Sequence, residues 1–395
     1  MIYLSNNTMI ELRRTSSTII LHVAPIAKNY ISGLTSAIPP SIDALQRLGV
    51  QTGLLTTSSN GRYEKPESYP VVYIRDLPRI GAIASMPEPL NQPDLIVFHS
   101  TYVLSHIPIV YEAIQKKIPY IIKPHGGMTQ GAQEFKALKK KVGNLLFFNW
   151  MVRNATAIHC LTQSEAEDVK KLWDTQVFIV GNGVNLPSVK KLRFNLKELK
   201  FIFLGRLNIY QKGLDLLLEA CRVIQEKLRR EKVQIFLYGP DEGDSAAELN
   251  KLINIYQIQD LIHLKGTVYG EEKHAVFQEA DLFIHTSRFE GHPMAVMEAL
   301  SYGVPCLLTP GTNMAPEVVE AGAGWAVESN GAAIAQGLSN ILAVRSEIPT
   351  RGQAARYFVE NKYSWAQIGK QSQAEYEKIL MQVISPNAGL SAAQY

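Results

Sequence analysis

Two carboxylates, Glu290 and Glu298, stand on either side of the seven residues Gly291-His292-Pro293-Met294-Ala295-Val296-Met297. Pro293 suits the first position of a helix, where a missing N–H costs nothing. From there Ala295, Val296, Ala299 and Leu300 form an apolar stripe at helical spacing, with Met294 and Glu298 one turn apart on another. Glu290 then lies on the loop entering the helix and Glu298 on its second turn. The free N–H groups of the helix start between them suit an anion such as a diphosphate. The pattern fits a grip on a phosphorylated sugar; it equally fits a plain turn and helix start with a solvated glutamate. The rest of the chain has to decide.

Other loops carry matching chemistry. Gly205-Arg206 ends a strand-like run and Lys212-Gly213 opens the next helix. A glycine allows close backbone approach, and a guanidinium fork with a compact ammonium suits phosphate oxygens. Lys123-Pro124-His125-Gly126-Gly127 places His125 on a tight turn after a strand, and His99 holds a similar position with weaker flanks. His22, His159 and His285 fall inside strand-like runs and read as core or edge residues. No His/Asp/Glu cluster has metal-ligand spacing, so no protein-held metal is expected. Neither a Gly-X-Gly-X-X-Gly after a strand, nor a Walker loop, nor a Gly-X-Ser-X-Gly elbow occurs. Nicotinamide dehydrogenase, P-loop ATPase and α/β-hydrolase readings therefore recede.

The elements that must hold these loops alternate along the chain. Strands are expected at 18–23, 52–56, 71–74, 94–98, 120–123, 157–161 and 177–180, then at 201–204, 234–238, 262–265, 282–286 and 306–309. Several lack polar alternation, as strands covered on both faces do. Helices are expected at 38–48, 107–117, 135–151 and 164–172, the last headed by a Ser164/Glu167 capping box, and at 213–230, 246–256, 271–278 and 293–302. A break near Gly181-Asn182-Gly183, with a basic connector after Pro187, divides two doubly wound parallel sheets. The expected division is a loose extension 1–16, a first Rossmann-like domain 17–186, a second 187–362, a terminal helix 363–384 and a tail 385–395. Ligands of such sheets bind beyond the carboxyl ends of the strands, where all the loops above lie.

At 395 residues, 46% hydrophobic and 19% charged, the chain is globular and long enough for two cores. A net charge of +4 offers little to nucleic acid. Three scattered cysteines suit a reducing compartment, and no apolar run approaches the ~20 residues that span a bilayer. A cytoplasmic protein is expected. Within 135–151, Lys136, Lys139, Lys140 and Lys141 precede Leu145-Leu146-Phe147-Phe148 and Trp150. That helix fits either an anionic inner-membrane surface or packing against the domain core.

Taken together, the chain resembles the retaining GT-B glycosyltransferases of family GT4 (glycosyltransferase group 1) from about residue 18 to 380. The resemblance is carried by Glu290 to Glu298, Gly205-Arg206, Lys212-Gly213, Ala280-Asp281-Leu282, the run Glu298 to Pro305, His125-Gly126 and Tyr363-Ser364-Trp365, all in order. It implies an α/β GT-B fold, two Rossmann-like domains facing across a deep cleft, with the terminal helix crossing back to the first. It implies a nucleotide-sugar donor, UDP-glucose type first and GDP-mannose next, held mainly by the second domain. The acceptor, a saccharide or lipid-linked saccharide of polysaccharide biosynthesis, would meet the first. Arg206 and Lys212 would hold the diphosphate in place of a metal, and Glu298 the ribose. Glu290 would contact the sugar hydroxyls and His125 the sugar near the reacting centre. Gly33, Gly205, Val268 in the base-facing loop 266–269, Gly291, His292, Met294 and Ala295 would complete the donor site, with no cofactor. The sequence departs at Ser32-Gly33-Leu34, where the family has a glycine pair, and at His292, a position open to a sugar-specific hydrogen bond. A catalytically silent nucleotide-sugar-binding protein of the same fold and a sugar-nucleotide epimerase are the competing readings.

Overall fold

The computed structural model describes residues 18–26, 33–58, 68–78, 80–134, 143–189, 191 and 193–384. The expected extension 1–16, the tail 385–395, Ser32 and the four lysines of the basic helix lie outside the described residues. The chain forms two compact units, one of Met1–Gly183 with Trp365–Tyr395 and one of Val184–Ser364.

The first unit holds β1 (Ile19–Ala24), β2 (Gln51–Thr56), β3 (Val71–Tyr73), β4 (Leu95–His99), β5 (Tyr120–Lys123), β6 (Ala157–Cys160) and β7 (Val177–Ile179). All pair in parallel, in the order β3-β2-β1-β4-β5-β6-β7. The second unit holds β8 (Leu199–Leu204), β9 (Val233–Tyr238), β10 (Ile262–Gly266), β11 (Leu282–His285), β12 (Cys306–Leu308) and β13 (Gly324–Ala326). Its order is β10-β9-β8-β11-β12-β13, again parallel. Both orders reverse direction beside the first strand, between β1 and β4 and between β8 and β11. The loops diverge there to opposite faces and open a crevice at the carboxyl ends.

Burial follows position. β4, β5 and β11 are buried at every residue, which is why their sequences carry no alternation, whereas β9 alternates strictly. Leu21, Phe98, Tyr120, Ile122 and Ile158 anchor one core under the first sheet, and Phe201, Phe203, Leu217, Leu237 and Ile284 the core of the second. The helix Trp365–Ile384 returns to the first unit: Trp365 covers Gly183, Gly369 lies against Ala44, and Tyr376 Oη meets His159 Nδ1 at 3.1 Å.

Four local readings change. The helix near Ser164 is capped by Thr162, whose hydroxyl accepts from Glu165 N at 3.2 Å, so Ser164 lies inside the first turn. The long helix expected from 213 divides at Ile224, giving Leu214–Val223 and Gln225–Arg230. Pro293 keeps an extended ψ of 108° and stands one residue before the helix Met294–Tyr302. Strand β13 is three residues long with no β-branched run, and sequence pattern passed over it.

Candidate active site

In the second unit, two loops beside the β8/β11 switch are sewn to each other. Gly205-Arg206 follows β8, and the single turn Ile209–Lys212 carries Lys212 inward until it is 8% exposed. Asn208 caps that turn, accepting from Gln211 N at 2.8 Å. Gly213 then adopts a φ of 60°, and a Cβ there would overlap the carbonyl oxygen of Thr286, so only glycine lets the loops touch. Thr286 Oγ1 donates to the carbonyls of Lys212 and Gly213 at 3.1 and 3.0 Å, and Arg288 N donates to Gln211 O at 2.9 Å. A bidentate pair between Arg288 and Asp215, at 2.8 and 2.7 Å, locks the outer edge.

This framework brings Lys212 onto Glu290. One oxygen, Oε1, accepts from Lys212 Nζ, from His285 Nε2 at 3.1 Å and from Ser287 Oγ at 2.8 Å. No described residue donates to Oε2. Asn313, in the left-handed region at φ 58°, donates to the Glu290 carbonyl at 2.6 Å and fixes the backbone. Burial opposes ionisation of Glu290, but the Lys212 charge and the hydrogen bond from His285 outweigh it and hold the carboxyl well below the ordinary range. His285 itself is pushed down, chiefly by burial, despite the hydrogen bond to Glu290.

The remaining second-unit residues are spread around this centre. Arg206 is paired with Glu242 through two hydrogen bonds of 2.5 and 2.6 Å and reaches Gln211 at 3.3 Å; it is not joined to Glu290. Glu298 accepts from Lys273 Nζ at 2.6 Å. The backbone N–H groups of Met294 and Ala295 head the nine-residue helix Met294–Tyr302. His292 is 6% exposed, its ring 5.1 Å from that of Tyr363, so it packs against that tyrosine. Gly205 and Gly291 lie on the two loops, and Val268 is buried after β10. Gly239 has its Cβ position filled by the Gly205 carbonyl, which draws the loops after β8 and β9 together.

In the first unit, His125 sits at φ 53° in the turn after β5. Its neighbour Gly126 donates N–H to Glu165 Oε1 at 2.7 Å, and Leu161 N donates to Oε2 at 2.9 Å, so a buried glutamate pins the turn. Burial raises the Glu165 carboxyl and, most strongly of its influences, lowers the Lys123 ammonium. His125 Nε2 lies 2.9 Å from His99 Nδ1, and His99 Nε2 lies 3.0 Å from His22 Nδ1. Gly33 begins the helix Gly33–Gln46 that follows β1, its Cβ position open.

Sequence reasoning singled out Lys212 and Glu290 but missed that they form one ion pair. It read His285 and His22 as core or edge residues, and it passed over Ser287, Asn313 and Glu242. The available signal was positional: His285 is the last residue of β11 at the switch point, and Ser287 lies three residues before Glu290 on the same loop. His22 sits mid-strand and offered none.

Comparison with known proteins bears on these same loops. Residues 186–365 match the family described as Glycosyl transferases group 1, and residues 42–187 match Glycosyltransferase Family 4. A putative colanic acid biosynthesis glycosyltransferase, WcaL of Escherichia coli K12, is 34% identical over 38% of this chain and 37% of its own. The GDP-mannose:cellobiosyl-diphosphopolyprenol alpha-mannosyltransferase of Xanthomonas oryzae is 24% identical over 82% of this chain and 86% of its own. The chain spans between 33% and 52% of the length of the first curated relatives it matches. Anabaena HepE, solved with UDP-glucose, superposes at a TM-score of 0.69 with 15% identity, covering 91% of this chain and 99% of HepE. The two family matches meet at residues 186–187 and together take in His125, Lys212, Glu290 and Glu298. With two parallel α/β sheets and both family matches, the chain belongs to the group 1 glycosyltransferases, family GT4, of the GT-B fold.

Proposed function

We propose that this protein transfers a hexose, with retention of anomeric configuration, from a nucleoside-diphosphate sugar to a saccharide or lipid-linked saccharide acceptor. The observation that carries the reading is the buried Lys212–Glu290 pair, with Oε2 of Glu290 unclaimed by any described residue, Lys212 on the loop that also bears Arg206, and the start of the helix Met294–Tyr302 beside it. Lys212 and Arg206 exchange their carboxylate partners for the diphosphate, whose charge the N–H groups of Met294 and Ala295 also meet. Released from Lys212, Glu290 keeps His285 and Ser287 and offers Oε2 to a sugar hydroxyl. Glu298 trades Lys273 for the ribose hydroxyls.

In the chemical step the C1–O bond to the β-phosphate breaks and the acceptor oxygen bonds C1 on the same face. The acceptor's proton passes to the departing phosphate oxygen. Positive charge fixed at the phosphates stabilises that leaving group where it forms. Relatives named for colanic acid and amylovoran biosynthesis support a polysaccharide setting. UDP-glucose in HepE and GDP-mannose in the Xanthomonas enzyme's name mark the two donors to try first. Thermal shift with UDP, GDP and ADP, followed by hydrolysis of UDP-glucose and GDP-mannose with and without EDTA, tests the reading. Stabilisation by one diphosphate and slow, chelator-insensitive hydrolysis of its sugar are expected. No stabilisation by any of them would refute it.

A further inference from the structure

Behind His125 two more histidines stand in line across adjacent strands. His22 lies within β1 and His99 ends β4, each 1% exposed, and β5 delivers His125. Successive ring centroids are 5.3 and 5.2 Å apart with interplanar angles of 28° and 29°. The nitrogens oppose each other in pairs, Nδ1 of His22 to Nε2 of His99 and Nδ1 of His99 to Nε2 of His125, at 3.0 and 2.9 Å. Nitrogens so paired point at each other and not at a common centre, and no metal-holding group of side chains exists among the described residues.

Burial, reinforced by the nearby Lys123 charge, depresses all three, His22 to about 3, so each ring is neutral near pH 7 and carries one proton. Each contact needs one hydrogen, which leaves two self-consistent arrangements. With protons on Nε2 throughout, the chain donates inward and ends on an Nε2–H of His22 that is buried and has no acceptor among the described residues. With protons on Nδ1 throughout, it donates outward: His22 to His99, His99 to His125. The surplus donor then sits on Nδ1 of His125, the half-buried end that a ligand or water can reach. A buried donor without a partner is the costlier defect, beside a lysine above all.

We propose that His99, backed by His22, is a positioning residue for glycosyl transfer, donating Nδ1–H to His125 Nε2 so that His125 presents a fixed Nδ1–H to an oxygen of the donor sugar. This rests on the glycosyl transfer proposed above and on His125 meeting the donor sugar, as the resemblance to the family implies. A ring held in this way has no free lone pair and so serves as a hydrogen-bond donor, not as a base. His22 completes the set, because without its donation His99 is free to turn over its own tautomer.

The test uses the full chain labelled with ¹⁵N-histidine, read by long-range ¹H–¹⁵N correlation near pH 7.5 without ligand. Nine histidines contribute, and the His125 signals are those lost in His125→Ala. A protonated Nδ1 and bare Nε2 at His125 are expected; an Nε2–H ring or an imidazolium overturns the proposal. In hydrolysis of UDP-glucose or GDP-mannose, His99→Ala should lower kcat about tenfold with KM little changed, the worth of one oriented hydrogen bond. His99→Asn, whose amide keeps an N–H near the Nδ1 position, should recover most of the rate. In a His125→Ala background the His99 substitution should cost nothing more; a further tenfold loss would show that His99 acts independently. Wild-type turnover by His125→Ala would instead remove the donor contact itself, while the spectrum of the unaltered protein still decides the tautomer. Should His99→Ala fail to fold, that spectrum stands alone as the deciding measurement.

Discussion

Glu290→Gln separates charge from shape at the centre of the second unit. The amide keeps the volume and its oxygen can still accept from Ser287 and His285, but Lys212 loses its counter-charge while both side chains are only 10% exposed. Stripping one partner from a buried pair costs about 3–5 kcal/mol, and the retained hydrogen bonds bring the expected loss to about 2–3 kcal/mol. For a unit of this size that is a fall in Tm of about 4–12 °C. A nucleoside diphosphate returns an anion to Lys212, and at about 100 Kd stabilises by about 2.7 kcal/mol in its own right. The variant should therefore melt low when free and show a larger nucleotide-induced shift than the unaltered protein. Transfer should fall by about 10²–10³, because Oε2 no longer meets the sugar as a carboxylate. The stability gap has a defined pH window. Glu290 is held below its ordinary 4.5, so its contribution is complete above that value and lost as pH falls through the acid range. The gap should be constant from pH 8 to about 5.5 and narrow below about 4.5. Differential scanning fluorimetry with UDP and GDP, paired with a radiolabelled-sugar transfer assay, reads both arms. An unchanged Tm together with wild-type transfer would refute the argument.

Arg206 is half-exposed and paired with Glu242, so Arg206→Ala should change stability by less than about 1 kcal/mol yet weaken diphosphate binding, while Glu242→Gln, which frees the guanidinium, should tighten it in calorimetric titration. Gly213→Ala should lower Tm sharply and depress transfer together, since the new methyl group overlaps the Thr286 carbonyl at a φ of 60°; a change of under 1 °C, measured by the same fluorimetry, would contradict that close approach. His22, His99, His106 and His159, all buried, and the half-buried His125 have pKa values depressed below the ordinary 6.5 chiefly by desolvation, so their contribution is present above that value and lost as pH falls beneath it. Each should cost about 1 kcal/mol between pH 6.5 and 5.5, with Glu165, raised by burial, offsetting one of them; urea titrations across that range should show the net fall.

Much of the fold was legible because fully buried parallel strands announce themselves as short apolar runs. Tyr120–Lys123 was read to the residue, and eleven other strands within a few residues of their ends. The three-residue β13 and the break at Ile224 were not, since each depends on packing more than on local pattern. Pro39 and Pro40 lie inside the helix Gly33–Gln46, whose start sequence punctuation had placed later.

By itself the sequence determined the alternation of elements, the family, and the types of side chain at the carboxyl ends of the strands, because those follow from local periodicity and motif order. Only the tertiary structure decided which of them meet. Register and strand order brought His285 to Glu290 across five residues and His22 to His99 across seventy-seven. The same folding left Arg206 with Glu242 and turned His292 onto Tyr363. Pairing of charges and direction of protons are properties of distance and burial, and a linear pattern carries neither.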